Sequence, residues 1–176
     1  MQKFILVGAV ACSGLLAGCL GGMGASGGSD RAEAQMAPTQ GNKVSGTVTF
    51  VPSGDKLKVF AEVSGLTPGL HGFHIHEKGD CSAPDGTSAG GHFNPTSKPH
   101  GNPERGEHHL GDMVQLVADD KGNARQVSYI EGPTLGDGPG NIIGRSVIIH
   151  AALDDYKTQP TGNSGGRQAC GGIVQQ

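Results

Sequence analysis

Val44-Ser45-Gly46-Thr47-Val48-Thr49-Phe50-Val51, Pro52-Ser53-Gly54-Asp55 and Lys56-Leu57-Lys58-Val59-Phe60-Ala61-Glu62-Val63 together form the stretch that sets the fold class. Val44, Gly46, Val48 and Phe50 alternate with polar residues, and Leu57, Val59, Ala61 and Val63 repeat the pattern. A period of two puts alternate side chains on one face of a strand. The cluster from Pro52 to Asp55 is turn chemistry, so the stretch reads as a β-hairpin. Outward from it, strands are expected over His71–Glu77, Met113–Val117, Ala124–Ile130, Arg145–Ala151 and Gly172–Val174, with Asp119–Asn123 as a turn. No amphipathic helix emerges beyond the N-terminal apolar run. Many short strands with glycine-rich turns predict an all-β antiparallel sandwich or flattened barrel. Two insertions, 79–111 and 153–169, exceed simple connections, and loops of that length in a compact domain usually carry function.

Aromatic residues make up only 4% of the 176 and Trp is absent, so the core must be aliphatic. The formal net charge is −3, with no basic run, which gives no reason to expect nucleic-acid binding. Lys3 precedes the short apolar run Phe4–Ala11, the pattern of a secretory leader rather than a membrane span. Leu16-Ala17-Gly18-Cys19 resembles the lipobox of bacterial lipoproteins, which implies that Cys19 becomes the acylated first residue of the exported chain. Leu20 after it favours the outer membrane. The expected organisation is a leader over 1–18, an acylated Cys19 and flexible tether over 19–42, and a folded domain over 43–176. The glycines of the tether argue against an ordered first strand there. With Cys12 in the leader and Cys19 at the lipobox, Cys81 and Cys170 remain, and a lone pair in an exported protein reads as one disulfide.

All eight histidines fall between positions 71 and 150. His74 and His76 are two apart in a predicted strand, so their rings share a face and can chelate one metal. His92, His100, His109, Asp112 and His150 bring the candidate ligands to seven. One zinc takes four. An all-imidazole set suits copper, and imidazoles with one carboxylate suit zinc. Seven donors serve two four-coordinate ions if one imidazole ligates through both nitrogens.

The segments Gly72-Phe73-His74-Ile75-His76-Glu77 with Gly79-Asp80-Cys81, then Gly90-Gly91-His92-Phe93-Asn94-Pro95, Pro99-His100-Gly101, His109-Leu110-Gly111-Asp112 and Gly166-Arg167-Gln168-Ala169-Cys170-Gly171 resemble the copper/zinc superoxide dismutases. The match runs from about Val44 to the C-terminus. It implies an eight-stranded Greek-key β-barrel, copper on His74, His76, His92 and His150, and zinc on His92, His100, His109 and Asp112. It also implies a Cys81–Cys170 disulfide and dismutation of superoxide to dioxygen and hydrogen peroxide, as an antioxidant defence in the cell envelope. His92 would then bridge the metals and pass a proton to the anion. Asp154 would link one copper and one zinc ligand, and Arg167 would guide the anion. His71 is expected to bond backbone and orient the copper-bearing strand, and His108 to be exposed. A non-enzymatic relative would lack a copper ligand or the arginine; a metal-buffering protein would carry His- or Met-rich tracts. A homodimer would need an exposed apolar patch, and the sequence assigns it to no face.

Overall fold

The computed structural model describes Met1 and residues 30–176; most of the expected leader, the Cys19 lipidation site and residues 20–29 of the tether lie outside the described residues. Nine strands follow in order: β1 Ala32–Pro38, β2 Ser45–Ser53, β3 Lys56–Ser64, β4 Gly69–His71, β5 Phe73–His76, β6 Leu116–Ala118, β7 Ala124–Glu131, β8 Ser146–His150 and β9 Arg167–Gln175. The only helical element among the described residues is one 3-10 turn, Thr87–Ala89.

The expected hairpin forms, with Val48 paired to Ala61 and Phe50 to Val59. Seven strands hydrogen-bond in the order β5-β8-β9-β1-β2-β3-β7, and β4 pairs with β6. Every pairing between these strands is antiparallel. β6 packs beside β7, and β4 runs into β5 through Gly72, so the sheet curls round on itself. Counting β4 and β5 as one interrupted strand gives the expected eight. The non-consecutive neighbours β3–β7 and β5–β8 are the crossovers of a Greek-key barrel.

Two expectations need correction. The tether was expected to reach residue 42, but Ala32–Pro38 is a strand bonded to β2 on one side and β9 on the other. Ala32, Ala34 and Met36 fill the core side, while on the other face Gln35 is exposed and Glu33 half-buried. Alanine is a weak strand former, so its period-two pattern was hidden beside the glycines. The single strand expected over His71–Glu77 is broken at Gly72. There the Gly72 N–H donates to Ala152 O (2.8 Å), and its carbonyl accepts from the His150 N–H (2.9 Å). A side chain at 72 would strike Ser164, so this glycine lets the 151–166 loop lie against the strand.

β5 and β8 are buried on both faces. Phe73, Ile75, Val147 and Ile149 face the aliphatic core, which includes Val48, Phe50, Val59 and Ile173. Ile148 faces the opposite way, onto Ala89 and the Cys81–Cys170 disulfide. The outer face of these strands is therefore roofed by the two long loops, and the histidines lie beneath that roof.

Candidate metal centre

Strand alternation turns His74 and His76 away from the core, and both are buried. On β8, a register shift at Ile149/His150 places His150 opposite Arg167 of β9. A β-bulge of this kind re-aims side chains. The other edge of β5 is bridged by the 77–112 loop, with His76 opposite His92 and His74 opposite Asp112. Two strands, one bulge and one loop thus bring the seven residues together.

Hydrogen bonds decide which nitrogen of each ring stays free. His76 Nδ1 lies 2.9 Å from Gly90 O, His150 Nδ1 lies 3.2 Å from Gly165 O, and His74 Nε2 lies 2.7 Å from Asp154 Oδ2. Each contact holds the ring proton on that nitrogen and turns the other one inward. His74 Nδ1, His76 Nε2, His92 Nε2 and His150 Nε2 are buried without any hydrogen-bond partner. Orphaned buried polar atoms demand an explanation, and four lone pairs converging within 4.8 Å of one another have the form of a metal site.

A second convergence lies on the far side of the His92 ring. His92 Nδ1 is 2.9 Å from Asp112 Oδ1 and 3.3 Å from His109 Nδ1. His109 Nδ1 is 3.4 Å from Asp112 Oδ1, and His100 Nδ1 is 3.0 Å from Asp112 Oδ2. Backbone N–H groups of Gly101 and His109 also donate to Asp112 Oδ2, while Oδ1 faces the ring nitrogens of His92 and His109. His74 also approaches His92, His100 and Asp112 within 4.8 Å. One His74 nitrogen belongs to the first group and the other is bonded to Asp154, so His109 is the third imidazole free to serve the second group. The donor chemistry fits the two ions: four imidazoles on one side, and imidazoles with a carboxylate on the other.

Electrostatics favour the first group as lone-pair donors. Burial holds His74 and His76 below the usual histidine range, His92 at about 4 and His150 at about 3, so these rings are neutral and offer lone pairs at pH 7. Burial acts against protonated His100 too, but bonds to Asp112 and Asp154 outweigh it and raise it to about 9. Burial would raise Asp112, yet its contacts with His100, His109 and His92 hold it far below the carboxylate range.

Asp154 joins the two groups, 2.7 Å from His74 Nε2 and 2.9 Å from His100 Nε2. His71 is buried, its Nδ1 2.8 Å from His150 O and its Nε2 2.8 Å from Thr67 O, so it bonds backbone as expected. His108 is half-buried rather than exposed, lies in neither ligand group, and has its Nδ1 3.0 Å from Gly106 O. Arg167 donates from Nη1 to Gly86 O (2.6 Å) and from Nη2 to Gly90 O (2.7 Å). Gly90 O therefore serves both the arginine and His76.

The family model described as copper/zinc superoxide dismutase matches residues 44–173. The chain belongs to the copper/zinc superoxide dismutase family. It is 41% identical over 145 residues to the Superoxide dismutase [Cu-Zn] of Deinococcus radiodurans, covering 75% of this chain and 78% of that one. It is 42% identical over 150 residues to the Extracellular superoxide dismutase [Cu-Zn] of Caenorhabditis elegans, covering 81% and 65%. The crystal structure of the clock protein EA4 superposes with a TM-score of 0.76 at 39% identity, covering 84% of this chain and 95% of that one.

As a family member the chain is an oxidoreductase that uses copper and zinc. Two superoxide anions and two protons become dioxygen and hydrogen peroxide. Sequence reasoning missed the partners that hold this dismutase's site in place. Thr39 Oγ1 donates to Arg167 O (2.6 Å), and Gln115 Oε1 accepts from the Asp154 N–H (2.8 Å). Neither Thr39 nor Gln115 falls within the segments that carry the resemblance, so only coordinates reveal them.

Proposed function

We propose that His74, His76, His92 and His150 hold copper and that His92, His100, His109 and Asp112 hold zinc, His92 being shared. The supporting observation is the His92 ring: Nε2 is orphaned among the first group while Nδ1 lies 2.9 Å from Asp112. Bound copper supplies one-electron chemistry and bound zinc supplies fixed positive charge. When it is not ligating, His92 Nε2 would take up a proton and give it to the reduced anion, so the same atom would serve in turn as ligand and as proton donor. Asp154 fixes the tautomers of His74 and His100, the role outer partners play at metal sites. Arg167, held by two carbonyls, keeps a permanent charge opposite His150 and draws the anion in. Metal content of purified variants tests the division. His150→Ala should lose copper and keep zinc, His109→Ala the reverse, and His92→Ala should weaken both. Copper retained in His150→Ala alongside lost zinc would contradict it.

The leader pattern before Cys19 and the extracellular naming of one relative support export. The lipobox further supports acylation of Cys19 and attachment to the outer membrane of a bacterial envelope. Mass spectrometry of the mature protein tests this: an acylated N-terminal Cys19 is expected, and an unmodified terminus elsewhere would contradict it.

A further inference from the structure

Gln159 lies outside both ligand groups, yet its side chain grips the backbone of a ligand from both sides. Its Oε1 accepts from the His100 N–H (2.8 Å) and its Nε2 donates to the His100 carbonyl (2.9 Å). The same loop also holds the ring of His100, through Asp154 Oδ1 on Nε2 (2.9 Å). Backbone and ring of one residue are thus fixed by side chains five positions apart.

The segment between them is built as a spacer. Asp155 Oδ1 accepts from the N–H groups of Lys157 and Thr158 (both 2.8 Å), and Asp155 Oδ2 accepts from Thr158 Oγ1 (2.6 Å). The Gly162 N–H donates to Thr158 O (2.7 Å), and the Asp155 N–H donates to Gly162 O (2.8 Å). Gly162 has φ +64°, and a Cβ there would overlap Asp154 Oδ1, so the turn presses directly on the Asp154–His100 contact. On the other side of His100, the Gly101 N–H is tied to Asp112 Oδ2 (3.1 Å).

We propose that Gln159 is a positioning residue of the zinc half of the centre, setting the direction of His100 Nδ1 by clamping the peptide groups on either side. This rests on the reading of His100 as a zinc ligand. A side chain that only tied down a loop would need one of the two bonds; the paired donor and acceptor fix the rotation of the His100 backbone, and with it the line along which Nδ1 points. Gln159 is itself exposed, so its replacement leaves the core untouched.

The test uses the full chain stripped of metal. Zinc affinity is read by competition with a chromophoric chelator, and geometry by the visible absorption of cobalt(II) placed in the zinc position. Gln159→Met, close in size but without either bond, should weaken zinc by about 10- to 100-fold, the range for partners of metal ligands. It should alter the cobalt spectrum and leave the melting temperature of the metal-free protein unchanged. Lys157→Ala on the same loop should change none of these. Parent-like zinc affinity and cobalt spectrum in Gln159→Met, with zinc lost in His100→Ala, would overturn the proposal and leave the ligand reading standing. Parent-like zinc affinity in His100→Ala would overturn both. Equal loss of melting temperature in metal-free and zinc-loaded Gln159→Met would assign the residue to the fold alone, and so also overturn it.

Discussion

An imidazole can ligate a metal only when it is neutral, and at the residue scale burial is what keeps most of these rings so. His92 and His150 are depressed to about 4 and about 3, whereas the unfolded chain would protonate them near 6.5. Between those values the unfolded state binds more protons, so stability of the metal-free protein falls as pH drops from about 6.5 toward 4. His100, raised to about 9, acts oppositely: its contribution is complete below 6.5 and is lost as pH rises through 9. The metal-free protein should therefore melt highest near pH 6.5 and lower on either side. A series of thermal melts checks this, and a melting temperature unchanged from pH 7 to pH 4.5 would refute it. At the same scale Asp154 is a buried carboxylate that His100 and His74 hold ionised against its burial. Asp154→Asn keeps the shape and removes the charge, so zinc affinity should fall by about 10-fold or more; chelator competition reads it.

Elements place these residues with different legibility. The hairpin 44–63 and the positions of His74 and His76 could be read directly, because alternation is local and survives any tertiary context. The joining of His150 to Arg167 could not, because it depends on a bulge in β9, which leaves no period in the sequence. Gly72 was similarly opaque: a glycine between two strand-like runs gives no sign that another loop packs on it. Strand β1 was missed because its inward residues are two alanines and a methionine, whose burial is evident only once β2 and β9 flank it. The candidate donor types and their order were readable, whereas the hydrogen bonds that choose one nitrogen of each ring were not. β1 supplies a prediction at this scale. A chain beginning at residue 30 should fold, while one beginning at residue 43 should not, since it leaves β2 and β9 unpaired along facing edges. Circular dichroism and a cooperative melt separate the two; a folded 43–176 fragment would remove β1 from the essential barrel.

For the whole molecule, the disulfide and the field matter most. Cys81–Cys170 closes a span of 89 residues, tying the 77–112 loop to β9 beside Arg167. The chain-entropy account gives about 4–5 kcal/mol for such a loop. Replacing both cysteines by serine should cost stability of that order, read by denaturant unfolding. A protein of net charge −3 can still attract an anion when a cation is focused at the site. Dismutation should slow as ionic strength rises, and Arg167→Glu should lower the rate by about 10-fold or more and weaken that salt dependence; stopped-flow superoxide decay measures both, and an unchanged rate would remove Arg167 from the mechanism. The proposed centre turns on one ring, His92, which would be shared between two ions. Anomalous diffraction from crystals of the metal-loaded protein, collected at the copper and zinc absorption edges, tests that claim most directly. The account predicts a copper peak beside His92 Nε2 among His74, His76 and His150, and a zinc peak beside His92 Nδ1 among His100, His109 and Asp112. A single peak, or two peaks of which one does not touch His92, would contradict it.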